Sequence, residues 1–393
     1  MTFEQARACV IDKVASLRPV PVAVEVLLDD AEGRTIAESI VADRDYPPTA
    51  RSVRDGFALR AADTPGRLRL IGEARAGGPF AGQVSAGEAI EIMTGASMPE
   101  GADSVVMVEH ARQEDGFVLA PAVEAGKSVS PRGSDARSGD ELMPCGSRIG
   151  FAGIAALASA GRATVRVFEK PRVAILSTGD EIVDVSAAPA PHQVRNSNAH
   201  SLAAQVRRAG GVAEILPVAR DERAASQALI ERGLAADLLL ISGGVSAGKY
   251  DLIEEVLASL DAEIYFDRVS IQPGQPLVFG RARGTFFFGL PGNPASTLVT
   301  FAVFARAALD LLGGRVESAL PMPFVRLASD FHHKPGLTRF LPARLSADGS
   351  EVTPVPWHGS SDIPALARSN AFLVADAARE SWRAGEWIRV LMP

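Results

Sequence analysis

The chain has 393 residues, 47% hydrophobic and 22% charged, the composition of a folded protein too long for a single hydrophobic core. A net charge of -7 argues against a nucleic-acid-binding surface, and Cys9 and Cys145, without metal-ligand spacing, read as reduced thiols of a cytoplasmic protein. The histidines show no HxxxH or HExxH spacing, which sets aside a zinc site, and no Cys–His arrangement supports a hydrolase.

Phe3, Ala6, Val10, Val14 and Leu17 share one helical face, so an amphipathic helix opens the chain and Pro19 and Pro21 end it. Its Glu4, Arg7 and Asp12 are not those of a signal peptide. A second helical region is expected between Leu27 and Ala42. From Leu68 to Ile149, short apolar runs (LRLIG, AIEIM, SVVMVEH) alternate with turn clusters, as in a β-rich insert. Phe151–Ala160 reads as a short helix. From Arg172 onward, near-continuously apolar strands alternate with amphipathic helices, which predicts a doubly wound, mostly parallel α/β domain covered on both faces. Thr297–Leu312 is apolar but carries Arg306 and Asp310, so a buried helix is expected and no membrane span. After Gly313-Gly314, five runs (FVRLAS, FLPARL, EVTPV, AFLVAD, WIRVLM) predict a C-terminal β domain. The divisions expected are a linker or helical region at 1–50 and 140–170, the insert at 51–139, the α/β domain at 171–314 and the β domain at 315–393. His332-His333 is expected to face solvent.

Ligands of an open α/β sheet bind outside the carboxyl ends of its strands. Those ends carry Thr178, Gly179 and Glu181, then Asp221, then Gly243, Gly244 and Ser246, then Gln272–Pro276, then Pro291–Ser296. Glycines, hydroxyls and carboxylates together suit a phosphate-bearing ligand with Mg²⁺: amides and helix N-termini for the anion, carboxylates for the cation. Gly243–Lys249 reads GxxxxGK, yet Tyr250 stands where a P-loop needs Ser or Thr, so a Gly-Gly turn holding an anion with Ser246 is the better reading. Asp221 and Asp251 each precede a helix, so a plain N-cap explains them as well as a cation does. SIQPGQP and LPGNPAS each place Pro-Gly-x-Pro after a strand-like run, two rigid loops shaped around one small group.

Over essentially its whole length the chain resembles the molybdopterin molybdenumtransferases, the MoeA/gephyrin E-domain family. The matching pieces occur in family order: DRDYPPTARSVRDGFALR, EIMTGASMPEGADSVVMVE, RGSDARSGD, AILSTGDEIVD, VRNSNAHSLAAQVRRAGG, ISGGVSAGKYD, QPGQP, LPGNPAS and GSSDIPALARSNAFLVA. The resemblance implies an α/β domain, a β-rich insert, an extended linker and a C-terminal β-barrel-like domain. It implies a homodimer that inserts molybdate into adenylylated molybdopterin with Mg²⁺-dependent release of AMP, its site lying between the α/β domain of one subunit and the insert of the other. Apo-molybdoenzymes or their chaperones are further implied partners. By the same resemblance Asp55 is an essential carboxylate with Ser52 beside it, and Thr94 and Asp135 belong to insert motifs. Glu181, Asp221 and Asp251 match the acidic, Mg²⁺-holding set, and Pro276, Ser296 and Arg368 match positions lining a molybdate pocket.

The departures are specific. Gln272 and Gln275 stand where many relatives carry lysine, and the stretch Gly336–Pro342 lacks two arginines of the family pattern, while Arg51 and Arg54 flank Asp55. Two other functions compete. A molybdopterin adenylyltransferase would carry GGTG where this chain has Gly243–Ser246 as GGVS, and would lack the insert. A non-catalytic pterin-binding scaffold is favoured by the glutamines and opposed by the carboxylates, which a scaffold does not need.

Overall fold

Twin faces organise the central sheet of the protein, whose computed structural model describes residues 1–220, 222–244 and 252–392. Its six strands run in the order Val212–Ile215, Arg172–Ser177, Leu238–Ser242, Thr285–Leu290, Pro276–Ala282 and Glu263–Arg268. The first four are parallel, and Pro276–Ala282 is antiparallel to both of its neighbours. Alternate residues of each strand serve different cores. Val173, Ile175, Leu238, Leu240, Phe286 and Phe288 pack with the Ser197–Arg208 helix and a long core helix. Ala174, Leu176, Leu239, Ile241 and Phe287 pack on the other side with Ile230, Val256 and Leu257. Burial on both faces is why these strands show no polar alternation, and each buried Phe or Leu contributes about 1.5–3 kcal/mol.

The opening helix, Phe3–Leu17, joins the first of these cores through Phe3, Ala6, Val10 and Val14, and begins with a Thr2–Gln5 capping box. The long core helix runs from Pro294 to Leu312 with a π turn at Phe301–Ala305. Its 19 residues, with mean hydropathy 1.6, are long and apolar enough to cross a membrane, but 89% of that stretch is buried inside the protein. Its apolarity is met by the core, as expected. Near its end Asp310 is buried and holds Arg315 Nη1 at 2.9 Å and Ser318 Oγ at 2.8 Å. Arg7 of the opening helix donates to the carbonyls of Val303 and Ser318, and burial lowers its pKa.

Pro276–Ala282 and Thr285–Leu290 form a hairpin whose two turn residues, Arg283 (φ 48°) and Gly284 (φ 89°), both adopt the left-handed backbone of a type I′ turn. The antiparallel strand thereby starts at the edge where its parallel neighbours end. QPGQP and LPGNPAS are therefore neighbours at one edge of the sheet. A Cβ added to Gly274 would lie 2.6 Å from Thr300 Cγ2, so only glycine lets that turn seat against the core helix.

The insert is a six-stranded sheet in the order Ser104–Met107, Gly56–Leu59, Glu88–Ile92, Gly66–Ala74, Phe117–Ala120 and Arg112–Glu114. In the C-terminal region, Thr338–Leu345, Glu351–Pro354, Phe324–Leu327, Trp387–Leu391 and Ala371–Ala375 pair in turn, and the last returns to the first, closing a five-stranded barrel. Ile271–Gln272 adds to this barrel beside Thr338–Arg339.

Two expectations fail. No helix forms between Leu27 and Ala42 beyond the single turn Leu28–Asp30. Instead Ala23–Leu27 pairs with Thr164–Phe168, and Ile40–Val41 with Glu141–Met143. Val24 and Val26 alternate with exposed Glu25 and Leu27, a period of two that suits a half-buried strand. His333 does not face solvent: it is buried, stacked on Phe331 at 5.9 Å and tilted against Trp382 at 5.4 Å. The Phe331–His332 strand turns alternate side chains to opposite faces, so His332 points out and His333 in.

Candidate functional site

Along the carboxyl edge of the parallel strands lies a cleft of about 600 Å³. Ser177, Thr178, Ser242, Gly243 and Gly292 supply its polar wall, and Ile182, Pro189, Val194 and Ile363 its apolar parts. The edge is tied together by backbone bonds, Thr178 N to Ser242 O at 3.1 Å and Gly243 N to Leu290 O at 3.1 Å. Gly243 (φ 93°) and Gly244 (φ 63°) turn beside Thr178, and an added Cβ would stand 3.0 Å from its carbonyl oxygen and 2.8 Å from its hydroxyl respectively. Both glycines are thus required by backbone shape and by close approach.

Thr178 is 6% exposed, yet among the described residues its hydroxyl has no hydrogen-bond partner. Such a group costs stability unless a ligand satisfies it. Glu181, also lining the cleft, folds its carboxylate back over Gly179 (φ 128°), where any Cβ would meet it at 2.5 Å. Arg220 Nη1 clips the same loop by donating to Asp180 O at 2.8 Å. The Ser197–Arg208 helix aims its N-terminus at the cleft, capped by Asn196, which also accepts from Ser177 Oγ at 2.9 Å. A helix N-terminus favours an anion there. The start of the core helix is partly occupied, because Ala295 N donates to Ser360 O of the C-terminal region at 2.9 Å.

Asp55 and Thr94 are joined by hydrogen bonds on the insert, Asp135 pairs with Arg51, and among the described residues none from the insert lines the cleft. Thr94 donates to Asp55 Oδ1 through its backbone N–H at 2.7 Å and its hydroxyl at 3.0 Å, holding that carboxyl below the usual carboxylate range. Gly56 makes no turn. It starts a strand so close to Val106 that a Cβ would sit 2.0 Å from that carbonyl oxygen. Ser52 is buried and its hydroxyl closes a local loop with the backbone of Arg54, supporting Asp55 from behind. Arg51 pairs with Asp135 at 3.3 Å, both exposed, a contact worth at most about 1 kcal/mol.

Pro276, Ser296 and Arg368 lie outside the cleft lining. Pro276 is half-buried at the start of the antiparallel strand and Ser296 is buried in the core helix, whose first turns pack against the Ile363–Arg368 helix that ends in exposed Arg368. Gln272 and Gln275 are exposed on the adjoining loop. Asp221, Ser246 and Asp251 lie outside the described residues. Sequence reasoning passed over Arg195, Asn196 and Asn198, all of which line the cleft. For Asn196 the signal was available, as an Asn preceding an amphipathic helix.

An α/β sheet with a strand-end cleft, a β insert and a closed C-terminal barrel define a multidomain binding architecture. The chain matches three family descriptions in order: "MoeA N-terminal region (domain I and II)" over residues 1–161, "Probable molybdopterin binding domain" over 174–311, and "MoeA C-terminal region (domain IV)" over 325–392. It is 34% identical over 384 residues to a molybdopterin molybdenumtransferase of Bacillus subtilis, covering 93% of this chain and 89% of that one. A Staphylococcus aureus protein of the same name is 30% identical over 381 residues, covering 94% and 91%. Among solved structures, a molybdopterin biosynthesis MoeA protein from Pyrococcus horikosii superposes with a TM-score of 0.75 at 32% identity, covering 100% of this chain and 98% of that one. The chain belongs to the molybdopterin molybdenumtransferase family.

Proposed function

We propose that the protein is a transferase of molybdenum cofactor synthesis that inserts molybdate into adenylylated molybdopterin with Mg²⁺-dependent release of AMP, as a cytoplasmic homodimer. The observation that carries this reading is the strand-end cleft, where the buried Thr178 hydroxyl lacks a partner among the described residues, beside a Gly-Gly turn and a helix N-terminus. These are donors for phosphate oxygens. Mg²⁺ is commonly held by one or two carboxylates with substrate phosphates and water completing its shell. Glu181 fits as one such carboxylate, and Asp221 and Asp251 are the proposed others. The ion would offset the charge of the pyrophosphate. Thr178 and the Gly243 turn orient the phosphates, and Asp55, kept ionised by Thr94, faces the bound substrate from the insert of the partner subunit. Pro276, Ser296 and Arg368 receive molybdate on the adjoining patch.

The test is incubation of the purified protein with adenylylated molybdopterin, Mg²⁺ and molybdate, with AMP followed. Wild type should release AMP and Glu181→Gln should not, with its fold retained. Asp55→Ala and Asp251→Ala subunits should rescue each other in mixed dimers; a lack of rescue in verified heterodimers refutes the shared site. The exposed Gln272 and Gln275 favour a second reading, a pterin-binding scaffold, which pterin binding without any AMP release would support.

A further inference from the structure

Asn198 occupies the second position of the Ser197–Arg208 helix, where it is not needed as a cap because Asn196 already serves. Its side-chain nitrogen donates instead to two distant strand ends, Gly292 O at 2.7 Å and Ser242 Oγ at 3.0 Å. Gly292 O can only accept, so the amide orientation is fixed and both Nδ2 protons are committed. Gly292 also lies against the Gly243 turn, a Cβ there lying 3.6 Å from Gly243 Cα. One side chain therefore spans the helix start and two strand-end loops.

The consequence falls on Ser242. It is 4% exposed and lines the cleft, and its oxygen is occupied as an acceptor. Its single proton is left to donate, and no group among the described residues accepts it. Thr178, just past the end of the neighbouring strand, has a hydroxyl in the same wall that is also without a partner among the described residues.

We infer that Asn198 is a positioning residue: by donating to Ser242 it turns that hydroxyl into a donor aimed at an anionic oxygen of the ligand, paired with the Thr178 hydroxyl. The ligand class is a phosphate ester or diphosphate, which offers acceptors only. The inference rests on the proposed function for the identity of the natural ligand, not for the chemistry it names. The arrangement also explains why an amide, and not a carboxylate, is suited to this position. An aspartate would take the Ser242 proton for itself and repel both Gly292 O and the anion.

The experiment measures binding of adenylylated molybdopterin and, separately, of inorganic pyrophosphate to wild type, Asn198→Ala, Asn198→Asp, Ser242→Ala and the Asn198→Ala/Ser242→Ala double variant, with thermal unfolding of each. Asn198→Ala and Ser242→Ala should each weaken binding about tenfold, the size of one hydrogen bond to a charged group, and the double variant should be no weaker than either alone. Asn198→Asp should be the weakest single variant. Equal and independent losses that multiply in the double variant would overturn the inference, because Asn198 would then act without Ser242. Binding that is unchanged in folded Asn198→Ala would overturn it too. Should wild type bind pyrophosphate but not the adenylylated pterin, the proposed substrate fails, while the pyrophosphate series still decides the role of Asn198.

Discussion

Replacing Thr178 by valine should make the unliganded protein more stable and its ligand complex weaker. The two side chains are nearly isosteric, so the substitution removes little but a buried hydroxyl that has no partner among the described residues. Leaving a buried polar group unsatisfied costs about 1–3 kcal/mol. Taking the lower end, the valine variant gains about 1 kcal/mol, which for a domain of this size raises Tm by about 2–4 °C. The same hydroxyl, when it donates to a phosphate oxygen, makes a hydrogen bond to a charged group worth about 1.5–3 kcal/mol, so affinity should fall by about 10- to 100-fold. Calorimetric unfolding of the apo protein and titration with adenylylated molybdopterin give the two quantities. A Thr178→Val protein that melts lower than wild type, or binds the ligand equally well, would refute the assignment of this hydroxyl as a ligand donor.

Three further outcomes are expected. Thr94→Val removes the hydroxyl donor of Asp55; the carboxyl, held low by Thr94, stays ionised below the ordinary value of about 3.9, so the variant's acid limb of activity should move up in pH, and an unmoved limb in a pH–rate profile counts against Asp55 acting as the carboxylate. Whatever stability the Thr94–Asp55 bonds give is present above the unfolded value and is lost as pH falls through the lower folded one. Asp310→Ala strips the buried partner of Arg315 and Ser318 and should cost about 3–5 kcal/mol in urea unfolding; a cost below about 1 kcal/mol would show the network to be idle. Changing Gln272 and Gln275 together to lysine should lower the molybdate concentration needed for AMP release by about tenfold per lysine at low salt, whereas identical molybdate dependence would show that the charge is already supplied elsewhere.

The α/β unit was legible because burial on both faces leaves a plain mark: LLLIS and FFFGL admit no solvent side, and both lie in the sheet interior. The five C-terminal runs were legible as strands, but their closure into a barrel was not, since closure depends on Ala371–Ala375 meeting Thr338–Leu345 across distant sequence. Leu27–Ala42 misled because its leucines and isoleucines suggest a helical face, while its strand partners lie at least 100 residues away. At the site, Thr178, Glu181 and Gly243 could be placed in one cleft from strand ends alone. Asn198 could not, because its two partners are 44 and 94 residues distant and nothing local marks them. The Asp55–Thr94 bond is 39 residues long in sequence and was legible only through resemblance.

The Arg283–Gly284 turn sits at the edge of the sheet opposite the cleft, yet it works as the ruler for one wall of the site. Since it fixes the register of Pro276–Ala282 against Thr285–Leu290, it also fixes how far QPGQP advances toward LPGNPAS. A shift of that register by one residue would slide one strand past the other by about 3.4 Å and exchange its two faces. Phe279, now stacked 4.7 Å from Phe288, would leave its core, and the Gln272–Gln275 loop would lose its seat against Thr300. A slip of register at the far hairpin therefore reaches one wall of the site, however exposed the turn is.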